Sequence, residues 1–217
     1  MKLAIINGSP RGKKSNSNRI TGWMTNVMDS DTEVIKVFAN ETSKHEKQIE
    51  EISGCDAYLM IFPLYTDSMP GITKRFMEVM EDNREYFNEK PIYFIIHSGF
   101  PESSQSITVE GFTKNFSSLL GMKYYGGIRM GGSEALQVAP DNYFGKKKDA
   151  YEFIAGNIER LEPFDSEKTA YLSRNRKPGA IMRFIINKTG LNNMYWNNTM
   201  KKNGVYDRRF DQPYKNS

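Results

Sequence analysis

The sequence of 217 residues predicts an α/β protein, a doubly wound three-layer sandwich on a parallel sheet. Three observations carry that expectation. Short apolar runs recur at Lys2–Ile6, Glu33–Phe38, Asp56–Phe62, Pro91–His97 and Met122–Met130. Each is followed by residues spaced as one face of a helix, so strand and helix alternate from Lys2 to Leu161. Several runs, such as DAYLMIF and PIYFIIH, are apolar almost throughout, as expected when helices cover both faces of a strand. Right-handed crossovers then place the helices on the two sides of one sheet.

Each element has its own signal. Lys2–Ile6 runs into Asn7-Gly8, a buried strand feeding a turn. From Asn16, the residues Ile20, Trp23, Met24, Val27 and Met28 recur at i, i+3, i+4, i+7 and i+8, the apolar stripe of a first helix. Ser43-Lys44-His45-Glu46 has the spacing of a capping box and opens a short polar helix to about Ser53. His45 within it reads as exposed and suggests no site. The third strand stops at Pro63, and the next helix takes Pro70 in its first turn, with Ile72, Phe76, Val79 and Met80 on one face. Ser103 or Ser104 caps a fourth helix with a face of Phe112, Phe116, Leu119 and Leu120, and Tyr151, Ile154, Ile158 and Leu161 mark a fifth. The alternation ends at Leu161-Glu162-Pro163, which divides the chain into a body, 1–162, and an extension, 163–217, with one helix candidate near Ala180–Asn187.

Charge is unevenly spread. The chain carries a net +4, but the extension alone holds 11 Lys/Arg against 4 Asp/Glu, interleaved with aromatics such as Tyr171, Tyr195, Trp196 and Phe210. That composition suits nucleic acid, an anionic surface or an acidic partner. It also suits an arm packed on the mildly acidic body or on a second subunit, and this second reading is favoured, with no nucleic acid expected. Cys55, the one cysteine, forms no disulfide within the chain and reads as a small buried thiol. With two histidines far apart, neither a metal site nor a histidine-based triad is expected. There is no apolar run of about 18 residues, so no membrane span is expected. The N-terminus lacks a signal-peptide design, and a cytoplasmic protein is expected.

In open α/β sheets, ligands lie beyond the carboxyl ends of the strands. Three segments end strands on that edge with unusual composition: Asn7–Asn18, Pro63–Gly71 and His97–Pro101. The first, NGSPRGKKSNSN, combines small and hydroxylated residues with Arg11 and a following helix N-terminus, a suitable nest for a phosphate. It is not a nucleotide P-loop, because Lys13 stands where the second glycine belongs, nor a dinucleotide fingerprint, because position 10 is proline. Gly131-Gly132-Ser133, after the fifth strand, is either a plain turn or a contact to ligand.

GSPR followed by SNS and a helix, a third strand ending in PLYTDSMPG, and a fourth ending in HSGF resemble the flavodoxin-like NAD(P)H-dependent FMN reductase family in order and spacing over Met1–Arg160. Gly12-Lys13-Lys14 makes the first loop longer than in many relatives. The resemblance implies a five-stranded parallel sheet in order 2-1-3-4-5, with the extension added to it. It implies FMN as cofactor and NADH or NADPH as co-substrate. Ser9, Arg11, Ser15, Asn16 and Ser17 would then hold the FMN phosphate, and Pro63, Leu64 and Tyr65 would lie along the ring, near Thr66, Asp67 and Ser68. Ser98, Gly99 and Phe100 would meet its pyrimidine edge. His97 reads as a packing or hydrogen-bonding residue, because hydride passes to flavin without a protein base. The implied function is hydride transfer through FMN to a small acceptor (a quinone, a nitro or azo compound, or another flavin) by a homodimer. The alternatives are an electron carrier docking a protein through the basic extension, and a non-redox binding protein on the same fold.

Overall fold

β1 (Lys2–Asn7), β2 (Glu33–Phe38), β3 (Ala57–Pro63), β4 (Pro91–His97) and β5 (Lys123–Met130) form one parallel sheet in the order β2-β1-β3-β4-β5. This is the flavodoxin-like order expected from the sequence. The structure is a computed structural model and describes residues 1–137, 139–175 and 191–212. The helices are α1 (Asn16–Thr25), α2 (His45–Ile52), α3 (Gly71–Asp82), α4 (Ile107–Leu119), α5 (Gly145–Glu159), α6 (Ser166–Leu172) and α7 (Leu191–Lys202).

The strand period of two sorts the apolar residues into two cores. Ala4, Ile6, Tyr58, Met60, Phe62, Phe94 and Ile96 face one side, where α2, α3 and α4 contribute Ile49, Phe76, Met80 and Phe116. Leu3, Ile5, Leu59, Ile61, Tyr93 and Ile95 face the other, against Ile20 and Trp23 of α1, Tyr151 and Ile154 of α5, and Leu172 of α6. Every residue of β3 and β4 is buried. The two tyrosines among them satisfy their hydroxyls on backbone carbonyls, Tyr58 on Ile52 at 2.8 Å and Tyr93 on Glu162 at 2.7 Å. Burial in turn pushes both phenols well above their ordinary range.

Several sequence expectations need correction. His45 is buried, not exposed: β2 turns back at Ala39, so Nε2 donates to the Ala39 carbonyl at 2.8 Å and the ring meets Phe76 edge-on at 5.0 Å. The capping box ahead of α2 does not form, because a 3-10 turn over Thr42–Lys44 leads directly into the helix. A similar turn at Ser103–Ser106 resets the phase of α4, which buries Val109, Thr113, Phe116 and Ser117 and leaves Phe112 and Leu119 exposed. Leu161 lies past the end of α5 and is exposed, at φ 53°.

The chain separates into one unit over 1–176 and another over 177–217. α6 therefore belongs to the first unit, tied there by Phe164 N–H to Tyr125 O at 2.8 Å and by the Ser103 hydroxyl to Ser173 O at 2.5 Å. In the second unit α7 is followed by a turn at Tyr206–Arg208, where the Arg209 guanidinium lies 3.9 Å from the Tyr206 ring centre. The helix candidate at Ala180–Asn187 lies outside the described residues. Among the described residues no helix is long and apolar enough to cross a membrane.

The crossing of β1 into its loop depends on a glycine. Gly8 N–H bonds Ile61 O at 2.8 Å, Thr73 Oγ1 donates to Gly8 O at 2.6 Å, and a Cβ at Gly8 would stand 2.6 Å from Thr73 Oγ1 and 2.9 Å from Phe62 Cβ. Gly8→Ala is expected to cost about 1–3 kcal/mol, because the crowding is against a buried side chain and a core residue. Chemical denaturation measures this, and an unchanged midpoint would refute the crowding.

Candidate functional site

The order β2-β1-β3 reverses the winding at β1 and β3, and the loops leaving these two strands diverge there. Behind β1, Asn7 organises the first loop from a buried position. Its Oδ1 accepts the Ser9 N–H at 2.9 Å, and its Nδ2 donates to Ser15 Oγ at 3.1 Å and Gly12 O at 3.4 Å. Ser15 caps α1: its Oγ accepts the Asn18 N–H at 3.1 Å and donates to Gly12 O at 2.6 Å. Gly12 takes φ +50°, which the turn requires. Arg19 N–H is bonded to the Ser15 carbonyl at 3.2 Å. The N–H groups of Asn16 and Ser17 are then left at the open start of α1, where an anion is favoured.

The Ser15 and Ser17 hydroxyls face inward. Ser17 Oγ lies 2.8 Å from His97 Nε2, and His97 Nδ1 lies 3.0 Å from Ser133 Oγ. Ser133 Oγ spends its single proton on Ser98 O at 2.9 Å, so toward His97 it accepts. His97 therefore carries its proton on Nδ1, and bare Nε2 accepts from the Ser17 hydroxyl. Complete burial pushes the imidazole pKa down from 6.5 to about 4, so it is neutral at physiological pH. The hydrogen-bonding role expected for His97 is what the geometry shows. Asn16 Nδ2 adds a bond to Ser133 O at 2.8 Å. Of Gly131-Gly132-Ser133, left open by the sequence, it is Ser133 that these bonds tie to the site.

Ser9, Arg11 and Asn16 of the first loop, Pro63 at the end of β3 with Leu64 and Tyr65 after it, and Gly99 after β4 line one cleft at this edge. Ser98 does not line it, since its N–H goes to Met130 O at 2.9 Å and its hydroxyl to Phe100 O at 3.1 Å. Phe100 is not among its lining residues either, and its side chain is 65% exposed. Sequence reasoning missed Asn7 as an organiser, and also Glu134 and Gln137, which complete the lining. No local signal marks that pair, which arrives through the fold. Gln137 Nε2 donates to Glu134 Oε1 at 2.7 Å, and Glu134 Cβ comes within 3.8 Å of where a Cβ on Gly99 would be. Arg19 holds the following segment to α1 through the Leu136 carbonyl, Ala139 O at 2.9 Å, and Asp141, whose carboxyl it lowers in pKa.

The donor set suits a phosphate dianion: two helix-start N–H groups, the Arg11 guanidinium, and a loop in which the Ser15 and Ser17 hydroxyls are already committed. The cleft as a whole is narrow, with about 50 Å³ of open space. Glu134 and Gln137, both on the surface, are the side chains that a flat ring system would turn aside. Among the described residues no group of three or more His, Cys, Asp or Glu is placed to hold a metal ion.

Two measurements follow from this geometry. The folded pKa of His97 lies below that of a free imidazole, so the unfolded chain takes up the proton first as pH falls. The His97 contribution is whole above about pH 6.5, declines towards pH 4 and totals about 3 kcal/mol. Denaturation curves of the wild type and His97→Gln should converge over that range, and parallel curves would contradict it. Between Tyr65 and Ser68, whose N–H groups bond each other's carbonyls at 2.8 and 3.1 Å, Thr66 and Asp67 sit at φ 50° and 59°. A β-branched residue is strained there, and Thr66→Gly should stabilise the fold by roughly 1 kcal/mol, read as a raised Tm.

The sequence profile of the family described as NADPH-dependent FMN reductase matches residues 1–135. Among solved structures, the fold is similar to an NADPH-quinone reductase from P. pentosaceus, with 20% identity over 71% of this chain and 98% of that one, at a TM-score of 0.55. It is also similar to an FMN-dependent NADH-azoreductase from Bacillus anthracis str. Ames Ancestor in complex with FMN, with 14% identity, 72% and 98% coverage, and a TM-score of 0.55. The Trp repressor binding protein from Bacillus subtilis gives 18% identity, 69% and 98% coverage, and a TM-score of 0.55. At these identities the likeness concerns the fold. A comparison with curated proteins finds no match. With more than half its length matched by the family profile, this chain belongs to the NADPH-dependent FMN reductase family and is an FMN-dependent NAD(P)H oxidoreductase.

Proposed function

We propose that the chain passes hydride from NADPH or NADH, through FMN bound at the β1–β3–β4 edge, to a small acceptor such as a quinone, a nitro or azo compound, or another flavin. The observation that carries this is the convergence of Ser9, Arg11 and Asn16 with Pro63, Leu64, Tyr65 and Gly99 on one cleft. Similar folds include a quinone reductase and an azoreductase, which supports acceptors of that size and polarity.

The residues divide the work. Arg11 and the N–H groups of Asn16 and Ser17 bind the phosphate, and the Ser9, Ser15 and Ser17 side chains hold the loop that presents them. Pro63, Leu64 and Tyr65 form the wall along the ring. Gly99 offers backbone to its pyrimidine edge, and Ser98 fixes that turn. When bound, FMN supplies the capacity to accept and release a hydride. Neutral His97, buried with both ring nitrogens hydrogen-bonded, is not a proton donor in this reading. A cytoplasmic homodimer is part of this reading. The buried thiol of Cys55 and the exposed apolar residues Ile107, Phe112 and Leu119 around α4 support it.

The purified protein should be yellow, and NADPH should bleach the flavin band under anaerobic conditions. Arg11→Gln should weaken FMN binding about tenfold or more, measured by quenching of flavin fluorescence, because a charge-assisted contact is lost. If the wild type neither retains FMN nor binds it on addition, the reading is wrong.

A further inference from the structure

One strand away from the phosphate loop, at the carboxyl end of β2, lies a second cleft of about 340 Å³. Lys13, Lys44 and Lys47 line it with Phe38 and Gln48, opposed by the carboxylates of Glu41 and Glu51. Lys44 is paired with Glu41 at 2.9 Å, and the Lys13 ammonium lies 5.8 Å from the Phe38 ring centre. Gln48 is 5% exposed and its Nε2 donates to Phe38 O at 3.2 Å, while its buried Oε1 has no hydrogen-bond partner. The amide cannot be reversed, because the Phe38 carbonyl only accepts. An acceptor left without a donor in a buried position is uncommon, and this one belongs to a side chain lining an open cleft.

The two clefts adjoin. Lys13 belongs to the Gly12–Lys14 turn of the phosphate loop, and Gly12 is so close to the β2 exit that a Cβ on it would stand 2.8 Å from Asn40 Nδ2. From β2 to β4 there are three strand spacings, about 14 Å, the scale of an extended dinucleotide.

We infer that this cleft is a subsite for a phosphorylated adenosine, the 2′-phosphate end of NADPH, with the lysines taking the phosphate and Gln48 Oε1 accepting from a ribose hydroxyl or the adenine amine. The inference deepens the proposed NADPH-dependent function and rests on it. FAD offers related chemistry, an adenosine pyrophosphate next to the flavin phosphate, so the test separates the two sources.

The flavin-free full chain is titrated calorimetrically with adenosine 2′,5′-bisphosphate and with 5′-AMP. The bisphosphate should bind at least tenfold more tightly, and the double variant Lys44→Gln, Lys47→Gln should lose that difference. In steady-state assays the same variant should raise KM for NADPH about tenfold, leaving KM for NADH, kcat and FMN affinity unchanged. Lys44→Arg, Lys47→Arg should retain the discrimination. Unchanged FMN affinity and circular dichroism show that the variants fold. Equal binding of bisphosphate and AMP by the wild type, or an equal loss for both in the variant, overturns the inference. If FAD instead binds tenfold more tightly than FMN while bisphosphate and AMP are indistinguishable, the NADPH assignment is overturned in favour of the flavin dinucleotide. A wild type that binds no FMN would sink the flavin site, and the bisphosphate titration would still decide this one.

Discussion

A strand buried on both faces has no side along which to display polar groups, so its chemistry has to be placed where it ends. β3 and β4 are in that position along their whole length, and β1 nearly so. Their parallel pairing brings three carboxyl ends to one edge, and the 2-1-3 order sends the chain away from that edge in two directions. The gap between the diverging loops is the cleft. Its position is a consequence of how the sheet is wound, and it would persist through many changes of loop sequence.

Within the gap, shape depends on groups that never reach a ligand. Asn7, Ser15, Ser17, His97 and Ser133 spend their hydrogen bonds on one another and on nearby carbonyls. The neutral imidazole joins the start of α1 to the turn after β5, and through the serine hydroxyls the proton positions are determined around it. A charged imidazole would need solvation that this interior does not offer, which is why burial depresses its pKa. The resulting frame leaves backbone N–H groups and one guanidinium to meet an anion, an arrangement needing little reorganisation when charge arrives.

The open margins of the same edge differ in chemistry. Toward β5, the carboxylate and amide of Glu134 and Gln137 line the narrow cleft. Toward β2, lysines and a partnerless buried amide oxygen surround a roomier space. A phosphate-bearing cosubstrate and an acceptor without phosphate would be drawn differently by the two.

The layer architecture and most strand limits were legible in the sequence, because continuous apolar runs and a helical stripe each have one packing solution. Glu33–Phe38 and Pro91–His97 needed no adjustment. The phosphate loop was legible as composition, since small residues, an arginine and a helix start stand side by side in the chain. The phase of α4, the burial of His45 and the inward turn of Ser15 and Ser17 were not legible. Each depends on short 3-10 turns or on partners 80 and 36 residues away, as for Ser17 with His97 and His97 with Ser133. By itself the sequence determined the sheet, the edge and the loop that lie at the heart of this protein, because local periodicity and local composition are written along the chain. Only the tertiary structure decided which hydroxyls hold the frame, which amides stay free and where the lysines gather, because hydrogen-bond partners and charge neighbours are properties of space.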